Sequence, residues 1–224
     1  MRRVALAERK LPDYTKGEEW ANALSHAAGA LISVFVLVLC ILTALRQENL
    51  FGVIGGAVYG LSMLLLFLFS SVYHALSPCG MTKRVFQILD HCAIFLLIAG
   101  SYTPICLCVL REVDSLMAWG ILGAVWTAAF AGIVLNAIDL NAFYKVSAVC
   151  YLAMGWCIVF AWKALPALLE RGGFFLLGLG GLCYTVGAVF YYRWNKTRYM
   201  HFVFHMFVLI GAVLHAVYIL WYVV

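Results

Sequence analysis

Two histidines, His201 and His205, stand four residues apart in "MHFVFHMF", inside a stretch that is otherwise hydrocarbon. That spacing places both imidazoles on one helix face, about one turn apart. A metal ion can use such a pair, and simple packing can also produce it. Other polar groups occupy comparable apolar contexts: Ser70 and His74 in "SSVYH", Asp90 in "QILDHCAIF", and Glu19, Asn22 and His26 in "EEWANALSH". Ser70 and His74 again share a face. Three imidazoles from two helices (His74, His201 and His205) with a carboxylate nearby make a sensible set for Zn2+. Three protein ligands leave the fourth position open for water, which is the catalytic rather than the closed structural arrangement. Zinc lowers the pKa of a bound water to about 7. Asp90 can then accept its proton, and Ser70 can position the water or stabilise a developing oxyanion. "HFVFH" is not the HExxH motif, because Phe202 stands at the glutamate position, so a general base has to come from another helix.

The elements that must position these groups are membrane helices. Of 224 residues, 66% are apolar and 11% charged, where a soluble domain carries about 25% charged residues. An integral membrane protein of all-α class is expected. Segments long enough to cross as helices, each needing roughly 20 apolar residues, are predicted at 21–45, 50–76, 85–110, 115–138, 144–168, 172–192 and 199–223. The expected organisation is a basic cytoplasmic segment over 1–20 and a seven-helix transmembrane domain over 21–224. The intervening loops are too short for a soluble domain, so any chemistry is built from the helices themselves. No nucleotide loop or nucleic-acid motif is present; membrane lipids are the expected partners, with no nucleotide cofactor.

Eleven of the fifteen Lys and Arg residues fall on the N-terminal side of this layout. The positive-inside rule then puts the N-terminus in the cytoplasm and the C-terminus outside. Trp20, Trp119, Trp162, Trp194 and Trp221 lie at segment ends, where interfacial anchors belong. The first apolar run reads as a retained span rather than a signal peptide. Cys40, Cys92, Cys106, Cys108, Cys150, Cys157 and Cys183 lie in spans and Cys79 in a loop, with no CxxC pair, so buried thiols and no disulfide framework are expected.

On this topology the polar groups converge in one membrane layer. His74 lies near the cytoplasmic end of the second span, and Asp90 and His26 about a turn and a half into the third and first. His201 and His205 occupy the first two turns of the seventh. Ionisable groups in spans are costly and face the interior or a functional cavity. His215, fourteen residues past His201, shares its face within about 40° but lies roughly 21 Å further along, and is not expected to join a metal. His91 points about 100° away from Asp90, which suits packing or hydrogen bonding. Glu19, Asn22 and His26 form a polar stripe that reads either as an interfacial anchor or as support behind the metal ligands or a cavity wall. Pro104 is expected to kink the third span, and small residues such as those of "GGAVYG" suit close helix packing.

The ordered set E-x2-N-x3-H (Glu19, Asn22, His26), S-x3-H (Ser70, His74), Asp90 and H-x3-H (His201, His205) resembles the hemolysin III family, the bacterial branch of the progestin and adiponectin receptor family. The resemblance covers the chain beyond its first eighteen residues. It implies a multi-pass protein of the bacterial inner (cytoplasmic) membrane, a seven-helix bundle with a cytoplasmic N-terminus. It also implies zinc on the histidines matching His74, His201 and His205, with Asp90 and Ser70 beside the zinc water. The wider superfamily includes alkaline ceramidases, so hydrolysis of lipid amides is implied, and bacterial members look like regulators of membrane lipid composition. The hemolysin name implies cytolysis, for which a seven-span chain without an export signal is poorly suited. The long N-terminal domain of the animal receptors is lacking.

Three function classes follow as expectations. The first is a zinc-dependent hydrolase of a lipid amide or ester acting in membrane lipid homeostasis. The second is a non-enzymatic lipid or membrane-state sensor whose zinc is structural. The third, an ion pathway, is disfavoured because the outer half of the bundle has few ionisable groups besides His215. A retinal protein is disfavoured by the lack of a lysine in the last span, and a G-protein-coupled receptor by the opposite orientation.

Overall fold

The computed structural model describes residues 6–9, 11–77, 80–170, 172–193 and 197–224. Cys79, Trp194 and several cations of the charge count (Arg2, Arg3, Lys10, Arg171 and Lys196) lie outside the described residues, as does the side chain of Arg193. The described residues are helical without strands. They form α1 (Lys16–Arg46), α2 (Leu50–Ala75), α3 (Met81–Ile105), α4 (Ser115–Gly155), α5 (Leu165–Glu170), α6 (Phe174–Arg193) and α7 (Met200–Tyr222). Six helical stretches are long and apolar enough to cross a membrane, and one of these runs without a loop from Ser115 to Glu170.

That stretch departs most from the sequence expectation of two spans joined by a "DLNAF" loop. α4 has 41 residues and would be about 60 Å long if straight, twice the roughly 30 Å of a bilayer's hydrocarbon core. It is not straight. Asp139 is extended (φ −158°, ψ 95°), and its Oδ1 accepts hydrogen bonds from the backbone N–H groups of Asn141 (3.1 Å) and Ala142 (3.2 Å). It therefore caps a new helical arm within a single residue. Ser147 donates to Asn136 Oδ1 (2.6 Å) and Asn136 Nδ2 to Tyr151 (3.3 Å). Residues 11 apart would be roughly 16 Å apart on a continuous helix, so the chain doubles back here. Past Gly155 the second arm tightens to a 3-10 helix over Cys157–Ala164 before α5.

α1 begins five residues before the predicted start, at a capping box in which Thr15 accepts from Glu18 N–H and the Glu18 carboxylate from Thr15 N–H. The earlier start puts Glu19 on the helix together with Asn22 and His26. Pro104 lies near the end of α3, and the chain continues as a π-helical turn over Cys106–Leu110. A proline leaves the carbonyl one turn earlier without its partner and disturbs the ladder there.

The polarity of the bundle is turned outward-apolar. Leu31, Phe35 and Leu39 of α1 are exposed while Asn22, His26 and Ser33 are buried, as lipid rather than water outside requires. Trp20, Trp119, Trp162 and Trp221 are all more than half exposed. None of the seven described cysteines is in a disulfide. Small residues let α2 and α3 touch: a Cβ built on Gly55 would lie 2.7 Å from the Pro104 Cα. Because that neighbour is backbone and cannot swing aside, Gly55→Ala is expected to cost about 1–3 kcal/mol. Gly120→Ala, with nothing within 4 Å of the added carbon, should be neutral or gain a few tenths of a kcal/mol. Thermal unfolding of the two variants in detergent measures the difference.

Candidate metal centre

α2 ends and α3 and α7 begin at the same end of the bundle as the start of α1. Glu18 closes this end: besides its cap it accepts from the backbone N–H of Tyr199 (2.8 Å). Tyr199 is left-handed (φ 61°) and is the N-cap residue of α7, so the first turn of α7 is fixed against the first turn of α1. His201 and His205 follow at once on the inward face.

Their rings meet His74 from the last turn of α2. The ring nitrogens of His74, His201 and His205 offer one ligand atom each, all within 4.8 Å of one another. All three side chains are buried. The Nε2 atoms of His201 and His205 face each other at 3.0 Å; two nitrogens on one tetrahedral zinc with Zn–N of about 2.0–2.1 Å lie roughly 3.3 Å apart. The Nδ1–H of His74 donates to Glu19 Oε2 at 2.6 Å, which fixes the tautomer and leaves Nε2 free to ligate. That Nε2 is buried without a hydrogen-bond partner, as are Nδ1 of His201 and His205. Buried polar atoms are nearly always satisfied, so the orphaned Nε2 of His74, beside the two Nε2 atoms that face each other, fits a metal ion.

The remaining predicted site residues gather around this trio. His26 stacks flat on His205, with centroids 3.6 Å apart and planes 10° from parallel, and meets Phe67 edge-on. Asn22 Nδ2 lies 3.5 Å from His74 Nδ1. The Glu19–Asn22–His26 stripe thus reaches the trio rather than the membrane interface. Ser70 is buried with its hydroxyl unpartnered. Ser70, Asp90, His26 and His205 all line one cavity of about 450 Å³, otherwise walled mainly by apolar and aromatic side chains such as Leu97, Tyr151 and Val208. A second, smaller cavity of about 330 Å³ reaches His201 from the side of Pro12, Tyr14, Gln87 and Asn141.

The two histidines set apart by the helical geometry have other partners. His215 Nε2 donates to the Leu177 carbonyl (3.1 Å). His91 Nδ1 donates to the Gln87 carbonyl (2.9 Å) and its Nε2 accepts from Tyr191 (3.2 Å), while its Nδ1 stands 3.6 Å from Asp90.

Two neighbours escaped the sequence reading. Tyr14, just ahead of the α1 cap, lays its ring 5.1 Å from that of His201 and 5.6 Å from that of His74; burial pushes its phenol well above the ordinary range. Lys83, counted only as a loop cation, is buried with Nζ 2.6 Å from Glu19 Oε1. Its signal was the stripe Lys83, Gln87, Asp90 at helical spacing.

The sequence model of the haemolysin-III-related family matches residues 14–216. Hemolysin-3 of Bacillus cereus is 41% identical over 206 residues, covering 92% of both chains. The Hemolysin-3 homolog of Bacillus subtilis (strain 168) is 39% identical over 199 residues, 89% of this chain and 91% of the relative. Monocyte to macrophage differentiation factor of Homo sapiens is 28% identical over 204 residues, 85% and 81% of the two chains. The chain belongs to the haemolysin-III-related family.

Removing the Glu18 carboxylate takes away both its cap and its hold on α7. Glu18→Ala is expected to cost about 1–2 kcal/mol. Thr15→Ala on top of it should cost about 1 kcal/mol more, because the Thr15 hydroxyl still accepts from the backbone N–H of residue 18; the double variant's thermal unfolding is the check.

Proposed function

We propose that this haemolysin-III-related membrane protein is a zinc-dependent hydrolase of a lipid amide or ester bond, working in membrane lipid homeostasis at the bacterial inner membrane. One observation carries the reading: a buried trio of imidazoles reaches, through His205 and beside Ser70 and Asp90, a large apolar cavity. A structural metal clamp needs no cavity, and a cavity of about 450 Å³ falls in the 300–1,000 Å³ range typical of small-molecule sites. His74, His201 and His205 would hold the ion. Zinc bound there supplies Lewis acidity and a water made acidic enough to act near neutral pH.

The chain's own groups do the rest. Asp90 takes the proton of the attacking water and returns it to the leaving amine or alcohol. Ser70, one turn before His74, donates its hydroxyl to the carbonyl oxygen as negative charge develops. The apolar wall holds the acyl chain and excludes water, so the carbonyl is oriented at the polar end of the cavity. Glu19 holds His74 in the tautomer that leaves Nε2 for the ion. The doubled-back α4 with α5 counts as two crossings in this reading. That makes seven, with the N-terminus and the trio on the cytoplasmic side, where a lipid of the inner leaflet enters sideways.

The test is turnover of a lipid amide and ester panel by purified zinc-loaded protein. Asp90→Ala is expected to keep its zinc and lose about 10²–10⁴-fold in rate, and Ser70→Ala up to about 10²-fold. His205→Ala should lose the metal itself, seen by elemental analysis. Equal product from wild type and Asp90→Ala removes the assignment. In that case, a zinc whose chelation lowers the melting temperature makes the trio a clamp between α2 and α7, as a sensor would use it. A C-terminal reporter protein accessible only from outside the cell checks the seven crossings.

A further inference from the structure

We propose that Lys83 is a positioning residue of the metal centre: its ammonium pins Glu19, and Glu19 in turn fixes the ring and tautomer of His74. The inference rests on the metal reading above but concerns a residue outside the trio and its cavity. Lys83 lies in the first turn of α3, where the helix dipole disfavours a cation. Its side chain is 1% exposed, and a buried charge is tolerated only when paired and hydrogen-bonded. A lysine on the surface of this turn would escape the cost of burial, so its inward placement needs a reason.

The contacts of its ammonium supply one. Nζ donates to Glu19 Oε1 at 2.6 Å and to the Leu76 carbonyl at 2.9 Å, and stands 5.0 Å from the centre of the Tyr73 ring. Leu76 is the C-cap residue of α2, two positions beyond His74. Lys83 thus holds the backbone just past His74 and the carboxylate that holds the His74 ring. Glu19 uses both oxygens at once, one for Lys83 and the other for His74 Nδ1. Its side chain is 17% exposed, so without Lys83 it is free to turn toward solvent and leave His74 unheld. Outer partners of a metal-ligating histidine commonly set its affinity by about 10–100-fold.

The competing account is a helix staple that holds α1 against α3 and nothing more. The two separate by metal affinity and by coupling. Detergent-purified protein is stripped with chelator, and its Zn2+ affinity is measured by competition with a chromophoric chelator. Its Co2+ form is read by visible absorption. Glu19→Gln is expected to weaken Zn2+ about 10–100-fold and Lys83→Met about tenfold, each with a shifted Co2+ spectrum. Lys83→Met in the Glu19→Gln background should change affinity by less than about twofold, because the two act in series. A staple lowers the melting temperature of all variants but leaves Zn2+ affinity and the Co2+ spectrum as in wild type; that result, or losses that multiply, overturns the proposal. If Lys83→Met does not fold, Glu19→Asp decides: it keeps both charges but is too short to bridge Lys83 and His74, and wild-type affinity in it also overturns the proposal. A wild type that takes up neither ion removes the metal reading itself, whereas wild-type uptake with an unaltered Lys83→Met removes this inference alone.

Discussion

His74 from α2 and the pair His201 and His205 from α7 are brought together at one buried site, and three imidazoles gain little from one another there. Each buried polar atom left without a partner costs about 1–3 kcal/mol, against a total folding stability of about 5–15 kcal/mol. The Nε2 of His74 and the hydroxyl of Ser70 are such atoms. Both lie at one end of the bundle. On the proposed reading, a divalent ion with its water would satisfy both of them at once.

The second-rank contacts serve the same end. Glu18 fastens α7 to α1 through Tyr199, so the turn bearing His201 is held by backbone rather than by side-chain packing alone. Arg9 donates to the Ile138 carbonyl (2.9 Å), and its own carbonyl accepts from Arg84 (3.2 Å). Ile138 precedes the break at Asp139, and a broken helix leaves carbonyls without their usual partners. The segment ahead of α1 therefore ties the turn of α4 to α3 while Tyr14 covers the trio. At the far end the contacts are fewer and simpler: Gln47 to the Val224 carbonyl (3.4 Å) and Lys163 with Asp114 (3.4 Å).

Much of this was legible in the sequence because membrane helices obey few rules. An apolar run of the right length must be helical, and a polar group within it must face inward, so residue spacing alone placed His74, His201, His205, Ser70 and Asp90 at one depth. The break in α4 was read as a loop of five residues. Asp139 makes it in one by capping its own next turn, a difference that depends on backbone angles and not on composition. Lys83 was misread for a related reason. Near a span end a lysine is ordinarily a topological signal, and only the carboxylate of Glu19, 64 residues away in sequence, turns it inward. Tyr14 left no periodicity to read, because it precedes the helix.

The trio stands between two unlike spaces. Toward the bundle interior the cavity is walled by hydrocarbon and aromatic rings; toward the polar end the smaller cavity meets Gln87, Asn141 and phenols. His91, Leu140, Tyr144 and Tyr191 line both, and the hydrogen bond between His91 and Tyr191 lies in that shared wall. The reacting carbonyl of a lipid amide or ester has the same asymmetry, a long chain on one side and a small polar group on the other. On the proposed hydrolase reading, a substrate with its chain among Leu97, Tyr151 and Val208 would have its cleavable bond near His205 and its polar part toward Gln87 and Asn141. A soluble metabolite would leave the larger, apolar space unfilled, and a lipid without a polar head would leave the smaller one without a use. The shape of the two spaces thus argues for an amphiphile independently of the family to which the chain belongs.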